Sequence, residues 1–369
     1  MVIQIDPGNV DSGAIVKAAA VVDGGGLVGF PTETVYGIAA RVNADSLRRL
    51  DLIKGRDSSK PYTLHIGRVE DVGKYVPSIG LRAAKVMKNA WPGPLTIIFE
   101  LKGGDIELQQ RILGGDVYQR LYPGNSIGVR CPDNAVAAAL LQAAKYPVVA
   151  PSANMAGDPP ALDANEVLDR LGGKIDLILD GGYCKYGKSS TVARINKQGV
   201  EIVRGGIYSE ADLKRFSQIN FLCVCTGNTC RSPMAEGFIK KYLAEKLDCE
   251  VDRLGDMGYK VASAGILNME GAPASNESVV ACAAKGVNIG SYTSQPLSCR
   301  LIAESDCIFA MERMHQARAV ALSAEAADKC VLLADNDIPD PIGQRQSVYD
   351  KCADMIEDAV KKRIGDLIL

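Results

Sequence analysis

The chain has 369 residues, a length that favours two domains over one. Apolar residues make up 47% and charged residues 23%, which excludes a disordered chain, and the near balance of 44 acidic and 42 basic residues excludes a protein that coats nucleic acid or membrane by bulk charge. Two histidines exclude a multi-histidine metal centre.

The first residues and the cysteines predict a cellular compartment. The start MVIQIDPGNV has no basic segment before a long apolar one, so we expect no secretory signal, and no apolar run approaches the ~18 residues of a membrane span. Eleven irregularly spaced cysteines favour one reactive thiol in a reducing environment over a disulfide scaffold. We therefore expect a cytoplasmic protein without a membrane partner and without a metal site of its own.

Residues 1–208 alternate β-branched runs, Gly-rich turns and Ala-rich helical stretches, and they predict a mixed, partly antiparallel sheet. Its predicted strands include residues 95–101, 126–130, 177–179, 190–195 and 200–203. The charged stretch 209–218 predicts a linker or short amphipathic helix.

Residues 219–369 restart the pattern and alternate short strands with helices. This alternation predicts an α/β domain with a Rossmann-like parallel sheet, covered by helices on both faces. A site is then expected at the carboxyl ends of the strands. The predicted strands are 221–225, 260–264, 307–311 and 331–334, and helices are predicted from 232, over 276–285 and 315–327, and from 348.

Cations and small hydroxyl residues beside glycine or proline recur at predicted element ends of the first part. Each motif alone is typical of a solvated surface, but together they suit one cavity for a polyphosphate and an amino acid. The motifs are residues 30–37 (FPTETVYG), 54–56, 60–61, 65, 91–96, 130, 151–154, 180–182, 190–192 and 204–206.

A P-loop pattern, G-x4-G-K-[ST], occurs at residues 182–189. Such a loop binds phosphate through the N-terminus of a following helix. Here a β-like run follows at residues 190–195. We therefore predict that these residues do not form a P-loop, although the Ser190 hydroxyl can still contact a ligand.

Through these motifs, residues 1–208 closely resemble the threonylcarbamoyl-AMP synthase family with its YrdC-type domain. The resemblance implies condensation of L-threonine, bicarbonate and Mg²⁺-bound ATP to threonylcarbamoyl-AMP, for the threonylcarbamoyladenosine modification of tRNA. It also implies tRNA, or the machinery that transfers the group to tRNA, as a partner. The implied nucleotide contacts are Lys54, Arg56, Lys60, Ser126, Ser152, Asn154 and Arg204, and the implied threonine contacts are Thr32, Thr34, His65, Arg130 and Ser190.

The second part carries a thiol six residues before a guanidinium, in Cys225-Thr-Gly-Asn-Thr-Cys-Arg231, at a predicted strand-to-helix junction. Successive amides of such a loop, with the helix N-terminus, form a nest that binds a tetrahedral dianion and lowers the thiol pKa. Arg231 can hold two phosphoryl oxygens. Ser232 is predicted as the helix N-cap and Pro233 as the first helical residue.

Two further features of the second part bear on this loop. A second C-x5-R pattern, Cys307 to Arg313, contains no glycine, and its residues are typical of a strand. It would also bring the negative charge of Glu312 near a bound dianion. We therefore interpret this second pattern as structural. Asp340 follows the predicted strand 331–334 and is a candidate general acid, with Asp337 as the local competitor.

Residues 219–369 resemble the low-molecular-weight protein phosphatase family through VCTGNTCRSPMAE, residues 263–265, DCIFAM and Asp340-Pro341. The resemblance implies that Cys225 is the nucleophile, Arg231 the phosphate clamp and Asp340 the general acid, with no cofactor and with a phosphorylated protein as substrate. The implied phosphate-binding loop is Thr226, Gly227, Asn228, Thr229, Cys230 and Ser232.

Thr229 stands where tyrosine-specific members carry a bulky aliphatic residue, and members that resemble protein arginine phosphatases carry threonine. The segment 340–343 also lacks tyrosines that would flank a phenyl ring. We therefore expect phosphoarginine to be preferred over phosphotyrosine. The alternative for the whole chain is that the first part only binds RNA and that a tyrosine-specific phosphatase is the sole activity.

Overall fold

The computed structural model describes residues 1–57, 60–196 and 198–368. The chain forms two compact units. The first comprises Met1–Ile79, Ala83–Asn196 and Val200–Phe216, and the second is built chiefly from residues 217–368. The segment predicted as a linker, 209–218, holds the helix Glu210–Phe216, whose Leu213 is buried in the core of the first unit.

The first unit is a mixed α/β structure. Its strands are β1 (Val2–Gln4), β2 (Leu27–Phe30), β3 (Gly37–Arg41), β4 (Thr63–His65), β5 (Leu95–Glu100), β6 (Ser126–Arg130), β7 (Val148–Val149), β8 (Leu177–Asp180), β9 (Thr191–Asn196) and β10 (Gly199–Arg204). Its helices are α1 (Ser12–Asp23), α2 (Ala44–Lys54), α3 (Leu81–Ala90), α4 (Gly104–Leu113), α5 (Gly115–Leu121), α6 (Ala135–Ala143), α7 (Ala164–Leu171) and α8 (Glu210–Phe216), with short 3₁₀ turns at Val69–Lys74 and Pro123–Asn125.

Within the described residues, ten strands of this unit form one sheet in the order β1-β8-β2-β3-β7-β4-β6-β5-β9-β10. The pairs β1/β8, β2/β8, β4/β6 and β5/β9 are parallel, whereas β2/β3, β3/β7, β4/β7 and β5/β6 are antiparallel. The predicted mixed, partly antiparallel sheet is confirmed.

Alternate residues of the strands in the first unit pack against helices on opposite faces of the sheet, as the period of two in a β-strand requires. Val28 and Phe30 of β2 pack with α1 and α6, whereas Leu27 belongs to the core that includes α2, α3 and α7. Side-chain caps fix where several helices begin. Asn43 accepts a hydrogen bond from the Ser46 amide at α2, and Asn134 accepts one from the Ala137 amide at α6.

The second unit contains a parallel sheet whose strands are β11 (Ile219–Cys225), β12 (Tyr259–Gly265), β13 (Cys307–Ala310) and β14 (Cys330–Leu332). In the described part of the chain the strand order is β12-β11-β13-β14. The helices are α9 (Arg231–Leu247), α10 (Asn276–Ala283), α11 (Cys299–Glu304), α12 (Arg313–Leu322) and α13 (Gln346–Ile368), with 3₁₀ turns at Val251–Leu254 and Ala324–Ala326. The predicted Rossmann-like parallel sheet is confirmed.

The two faces of this sheet are covered by different helices. Phe221 and Cys223 of β11 pack with α9 and α13, while Leu222 and Val224 pack with α11 and α12. Because all four strands are parallel, their carboxyl ends share one edge, where β11 ends at Cys225. No described helix is both long enough and apolar enough to cross a membrane.

Candidate active sites

The first unit encloses a cavity of about 560 Å³ whose floor is one face of the sheet. Strand register aligns side chains across neighbouring strands: His65 of β4 lies opposite Arg130 of β6, Arg130 opposite Thr96 of β5, and Thr96 opposite Val192 of β9. All four line the cavity. The register therefore gathers residues that lie more than a hundred positions apart in the sequence.

Arg130 is 6% exposed, and its Nη2 donates to Glu33 Oε1 at 2.8 Å and to Thr34 Oγ1 at 2.7 Å. Glu33 is 3% exposed, and among the described residues its Oε2 has no hydrogen-bond partner. A buried ion pair of this kind fixes the direction of the guanidinium. Thr34 is fully buried and does not line the cavity, so it supports Arg130 on the side away from the cavity.

His65 is 6% exposed, and its Nδ1 lies 3.1 Å from the Thr63 carbonyl oxygen, to which the neutral ring donates. Burial, together with the charge of Arg130, lowers the pKa of His65 to about 3. The imidazole is therefore neutral at physiological pH. Its Nε2 is left as a hydrogen-bond acceptor at the cavity floor.

The end of helix α2 places two cations at the cavity. Gly55 ends α2 in the left-handed region at φ 57°, a conformation that glycine adopts without steric cost, and the chain then turns to Arg56. Lys54 Nζ donates to the carbonyl oxygens of Ser152, at 2.5 Å, and Asn154, at 2.7 Å. Burial and the neighbouring charge of Arg56 lower the pKa of Lys54 to about 8.

Most residues predicted to bind nucleotide or threonine line this one cavity: Thr32, Lys54, Arg56, Lys60, His65, Ser126, Arg130, Ser152, Ser190 and Arg204. Arg204 Nη2 donates to the Ser190 carbonyl oxygen at 2.9 Å. Asn154, like Thr34, is not a lining residue, because its amide instead donates to the carbonyls of Met155 and Asp158. Glu33 and Thr96 were not predicted, although both fall within the motifs that the sequence singles out.

The P-loop pattern at residues 182–189 is followed by strand β9 and not by a helix. The prediction that it does not form a P-loop is confirmed. Ser190, the residue after the pattern, is 4% exposed, and its hydroxyl lies 3.4 Å from Thr96 Oγ1.

In the second unit, a loop between β11 and α9 surrounds the Cys225 sulfur. Asn228 adopts the left-handed conformation at φ 58°, and its amide donates to Cys225 Sγ at 3.3 Å. The loop packs so closely on β12 that a Cβ on Gly265 would lie 2.9 Å from the Thr226 carbonyl oxygen. Cys225, Asn228 and Cys230 are buried, whereas Thr226, Gly227 and Thr229 are partly exposed.

Ser232 Oγ lies 2.9 Å from Cys225 Sγ and accepts from Asn228 Nδ2 at 2.8 Å. When Cys225 is ionised, its sulfur can only accept, and Ser232 then donates its proton to the thiolate. Complete burial raises the pKa of the Cys225 thiol, and the hydrogen bonds from Ser232 and Asn228 and the charge of Arg231 act against the rise. The net direction is opposite to the lowering that we expected from the loop alone, because desolvation outweighs the loop dipoles.

Helix α9 begins at Arg231 with Cys230 at the N-cap position. The prediction of Ser232 as N-cap and Pro233 as first helical residue is therefore wrong. The physical reason is that the Ser232 hydroxyl is engaged by Cys225 and Asn228, so it does not cap the helix.

Arg231 is 1% exposed and fixed by acceptors on two loops, one before α12 and one before α13. Its Nη1 donates to Glu312 Oε1 at 2.5 Å and to the Ile338 carbonyl oxygen at 2.8 Å, and its Nη2 donates to Asp340 Oδ2. Among described residues, the buried Nε has no partner. The four Nη protons are used by these acceptors and by Thr226 Oγ1, so among the described residues only the Nε proton is left for a bound anion.

Asp340 and its local competitor separate clearly in the structure. The Asp340 carboxylate reaches Arg231, whereas Asp337 Oδ1 accepts from the Arg313 amide at 3.0 Å, at the start of α12. The second C-x5-R is not a loop, because Cys307–Ala310 is strand β13. Yet Glu312 of that segment contacts Arg231, a contact that our purely structural interpretation missed.

Comparison with known proteins identifies the families of the two parts of the chain. Residues 20–206 match the Sua5/YciO/YrdC family, described as Telomere recombination, and residues 220–367 match the family described as Low molecular weight phosphotyrosine protein phosphatase. The chain belongs to the Sua5/YciO/YrdC family and carries a low molecular weight phosphatase domain fused to it. The predicted fusion of these two families is confirmed.

Relatives of this chain include proteins named Threonylcarbamoyl-AMP synthase. The one from Pyrococcus abyssi is 31% identical over 229 residues, which are 62% of this chain and 64% of the relative. The one from Bacillus subtilis is 33% identical over 213 residues, 54% of this chain and 59% of the relative. The chain thus spans about 60% of the length of these relatives.

Among solved structures, the Pyrococcus abyssi Sua5 protein complexed with L-threonine matches with a TM-score of 0.52 and 18% identity. The match covers 100% of this chain and 99% of that one. At this identity the likeness concerns the fold alone.

Proposed function

We propose that residues 1–208, most of which lie in the first unit, form a threonylcarbamoyl-AMP synthase. The observation that carries this proposal is the charge of the cavity. Every charged side chain among its described lining residues is a cation: Lys54, Arg56, Lys60, Arg130, Arg194 and Arg204. Such a cavity suits the triphosphate of ATP together with the carboxylate of an amino acid.

In the proposed reaction, the amine of L-threonine first combines with bicarbonate, with loss of water, to give a carbamate. A carbamate oxygen then attacks the α-phosphorus of ATP, the bond from that phosphorus to the bridging oxygen breaks, and pyrophosphate leaves. ATP enters as its Mg²⁺ complex, and the cavity cations stabilise the charge that develops on the pyrophosphate. The product serves threonylcarbamoyladenosine formation, so tRNA or its modification machinery is the proposed downstream partner.

The fixed side chains divide the proposed tasks. Arg130, held by Glu33 and Thr34, is placed for the threonine carboxylate, and neutral His65 and the Ser190 and Thr32 hydroxyls complete the threonine site. The proposed nucleotide site is formed by Lys54, Arg56, Lys60, Arg204, Ser126 and Ser152, with Asn154 as a supporting residue.

Pyrophosphate release from ATP tests the synthase proposal. We expect release to require both L-threonine and bicarbonate. Release that continues without threonine would contradict a threonine-dependent synthase, and absence of release with all three substrates would contradict synthesis itself.

For residues 219–369, which belong to the second unit, we propose a cysteine-dependent protein phosphatase. The carrying observation is that Cys225 Sγ, the free Nε of Arg231 and the Asp340 carboxylate meet at the carboxyl end of one parallel sheet. The amides between Cys225 and Arg231 supply the dianion nest.

In the proposed mechanism, Cys225 reacts as the thiolate and Asp340 in its protonated form. The thiolate attacks the phosphorus of the substrate while Asp340 gives its proton to the leaving atom. A sulfur–phosphorus bond forms and the bond to the leaving nitrogen or oxygen breaks. Asp340 then takes a proton from water, which attacks the phosphocysteine and releases inorganic phosphate and the thiolate. Arg231 and the loop amides hold the phosphoryl oxygens in both steps.

We propose phosphoarginine as the preferred substrate over phosphotyrosine. Thr229 is partly exposed at the loop, and Ile342, two residues after Asp340, is 63% exposed where an aromatic wall would be needed for a phenyl ring. A comparison of kcat/KM on matched phosphoarginine and phosphotyrosine peptides tests the preference. A higher value for phosphotyrosine would overturn it.

A further inference from the structure

A chain of hydrogen bonds outside the proposed catalytic trio links helix α12 to the phosphate loop. The Glu312 amide donates to His315 Nδ1 at 3.0 Å, and His315 Nε2 lies 2.9 Å from Thr226 Oγ1. Thr226 directly follows the nucleophile. The His315 ring is fully buried, and both of its nitrogens are engaged by these two contacts.

The direction of each bond follows from the first one. Because His315 Nδ1 accepts a proton from the Glu312 amide, the neutral ring carries its own proton on Nε2 and donates it to Thr226 Oγ1. Burial and the charge of Arg231 lower the pKa of His315, which agrees with a neutral ring. The capping box between Glu312 and His315 at the start of α12 holds this arrangement in place.

Thr226 Oγ1 receives a second donor, because Arg231 Nη2 lies 3.1 Å from it. A hydroxyl oxygen has two acceptor positions and one proton. Both acceptor positions are therefore occupied, and in the described part of the chain no protein acceptor takes the Thr226 proton. Thr226 is partly exposed, so its proton is left for a ligand that binds beside Arg231.

We propose that Thr226 is a further phosphate-contacting residue, that its hydroxyl donates to a phosphoryl oxygen, and that His315 is the positioning residue that aims it. This inference rests on the proposed phosphatase function of the second unit. It adds a side-chain donor to the loop amides and to Arg231. Sequence reasoning assigned no role to His315.

The test measures how well inorganic phosphate protects Cys225 from alkylation by iodoacetate, with Cys225 followed by peptide mass spectrometry in the full chain. This readout concerns the loop alone and does not require turnover. A hydrogen bond to a charged group predicts that Thr226→Val weakens protection about tenfold, whereas Thr226→Ser keeps it within about threefold of the wild type.

His315→Leu should weaken phosphate protection about as much as Thr226→Val does. In the double variant, the histidine change should add no further loss, because no hydroxyl remains to be aimed. A histidine that only supports packing would cause the same loss in both backgrounds. The matched control is Gln316→Leu in the same helix as His315. This change removes a 2.6 Å hydrogen bond from Gln316 to the Cys330 carbonyl oxygen and should leave protection unchanged.

Unchanged protection in Thr226→Val, or additive losses in the double variant, would overturn the inference. Hydrolysis of para-nitrophenyl phosphate by the wild type is measured alongside. A wild type that binds phosphate with the predicted pattern but hydrolyses neither this ester nor a phosphoarginine peptide would contradict the phosphatase proposal and support the role of Thr226.

Discussion

At the scale of single residues, the proposed phosphatase depends on one thiol among eleven cysteines. Cys225→Ser should lower phosphatase kcat by about 10³-fold or more, because the serine hydroxyl is not ionised in the loop. Cys307→Ser is the matched control, since Cys307 begins the second C-x5-R but lies in strand β13. Equal loss in both variants, with both folded, would mean that the loop around Cys225 is not the site.

The residue at position 229 provides the test of substrate preference. Thr229→Ile replaces a small hydroxyl by an aliphatic side chain that packs better against a ring. We expect it to shift the ratio of kcat/KM, phosphoarginine over phosphotyrosine, about tenfold toward phosphotyrosine. An unchanged ratio on the matched peptides would show that residue 229 does not select the leaving group.

Lys54 gives the synthase proposal a pH dependence. Its pKa is lowered to about 8, so the side chain is charged below pH 8 and neutral above it. Because the charged form attracts the triphosphate, KM for ATP should rise as pH increases through about 8. Lys54→Arg stays charged throughout this range and should flatten the profile. A wild-type profile that is already flat would contradict the role of Lys54 in ATP binding.

At the scale of elements, the end of α2 positions Lys54 and Arg56. Gly55→Ala forces a side chain into the left-handed region and should cost about 1 kcal/mol of unfolding free energy, while raising KM for ATP. The control is Gly73→Ala, where a Cβ meets nothing within 4 Å and φ is not in the left-handed region. Equal KM values for ATP in the two variants would show that the cap at Gly55 does not position the nucleotide-binding cations.

Elements also show how far sequence reasoning reaches. Strands such as Ser126–Arg130 follow from local β-branched patterns, and the prediction for that segment agrees with the structure residue for residue. The row from His65 through Arg130 to Thr96 does not follow from local pattern, because it depends on strand order and register set by distant parts of the chain.

The same distinction explains the residues that were missed. Glu33 and Glu312 lie in segments that the sequence singles out, but their partners Arg130 and Arg231 are 97 and 81 positions away. Their roles as supports of a buried guanidinium therefore become visible only in three dimensions. The Cys225 pKa is a similar case, since its direction depends on complete burial and not on the loop pattern alone.

At the scale of the whole molecule, we propose that two independent active sites share one chain. The cavity residues all belong to the first compact unit, and the residues of the phosphate loop all belong to the second. Each site draws its charged groups from its own unit. Loss of one activity should therefore leave the other intact.

The most direct test assays both activities on the same preparations of two full-length variants. Arg56→Glu should lower threonine-dependent pyrophosphate release about 100-fold, by placing a negative charge in the triphosphate path, and should leave phosphatase kcat/KM unchanged. Cys225→Ser should give the reverse pattern. Loss of both activities in either folded variant, or pyrophosphate release by the wild type that does not depend on threonine, would contradict the account.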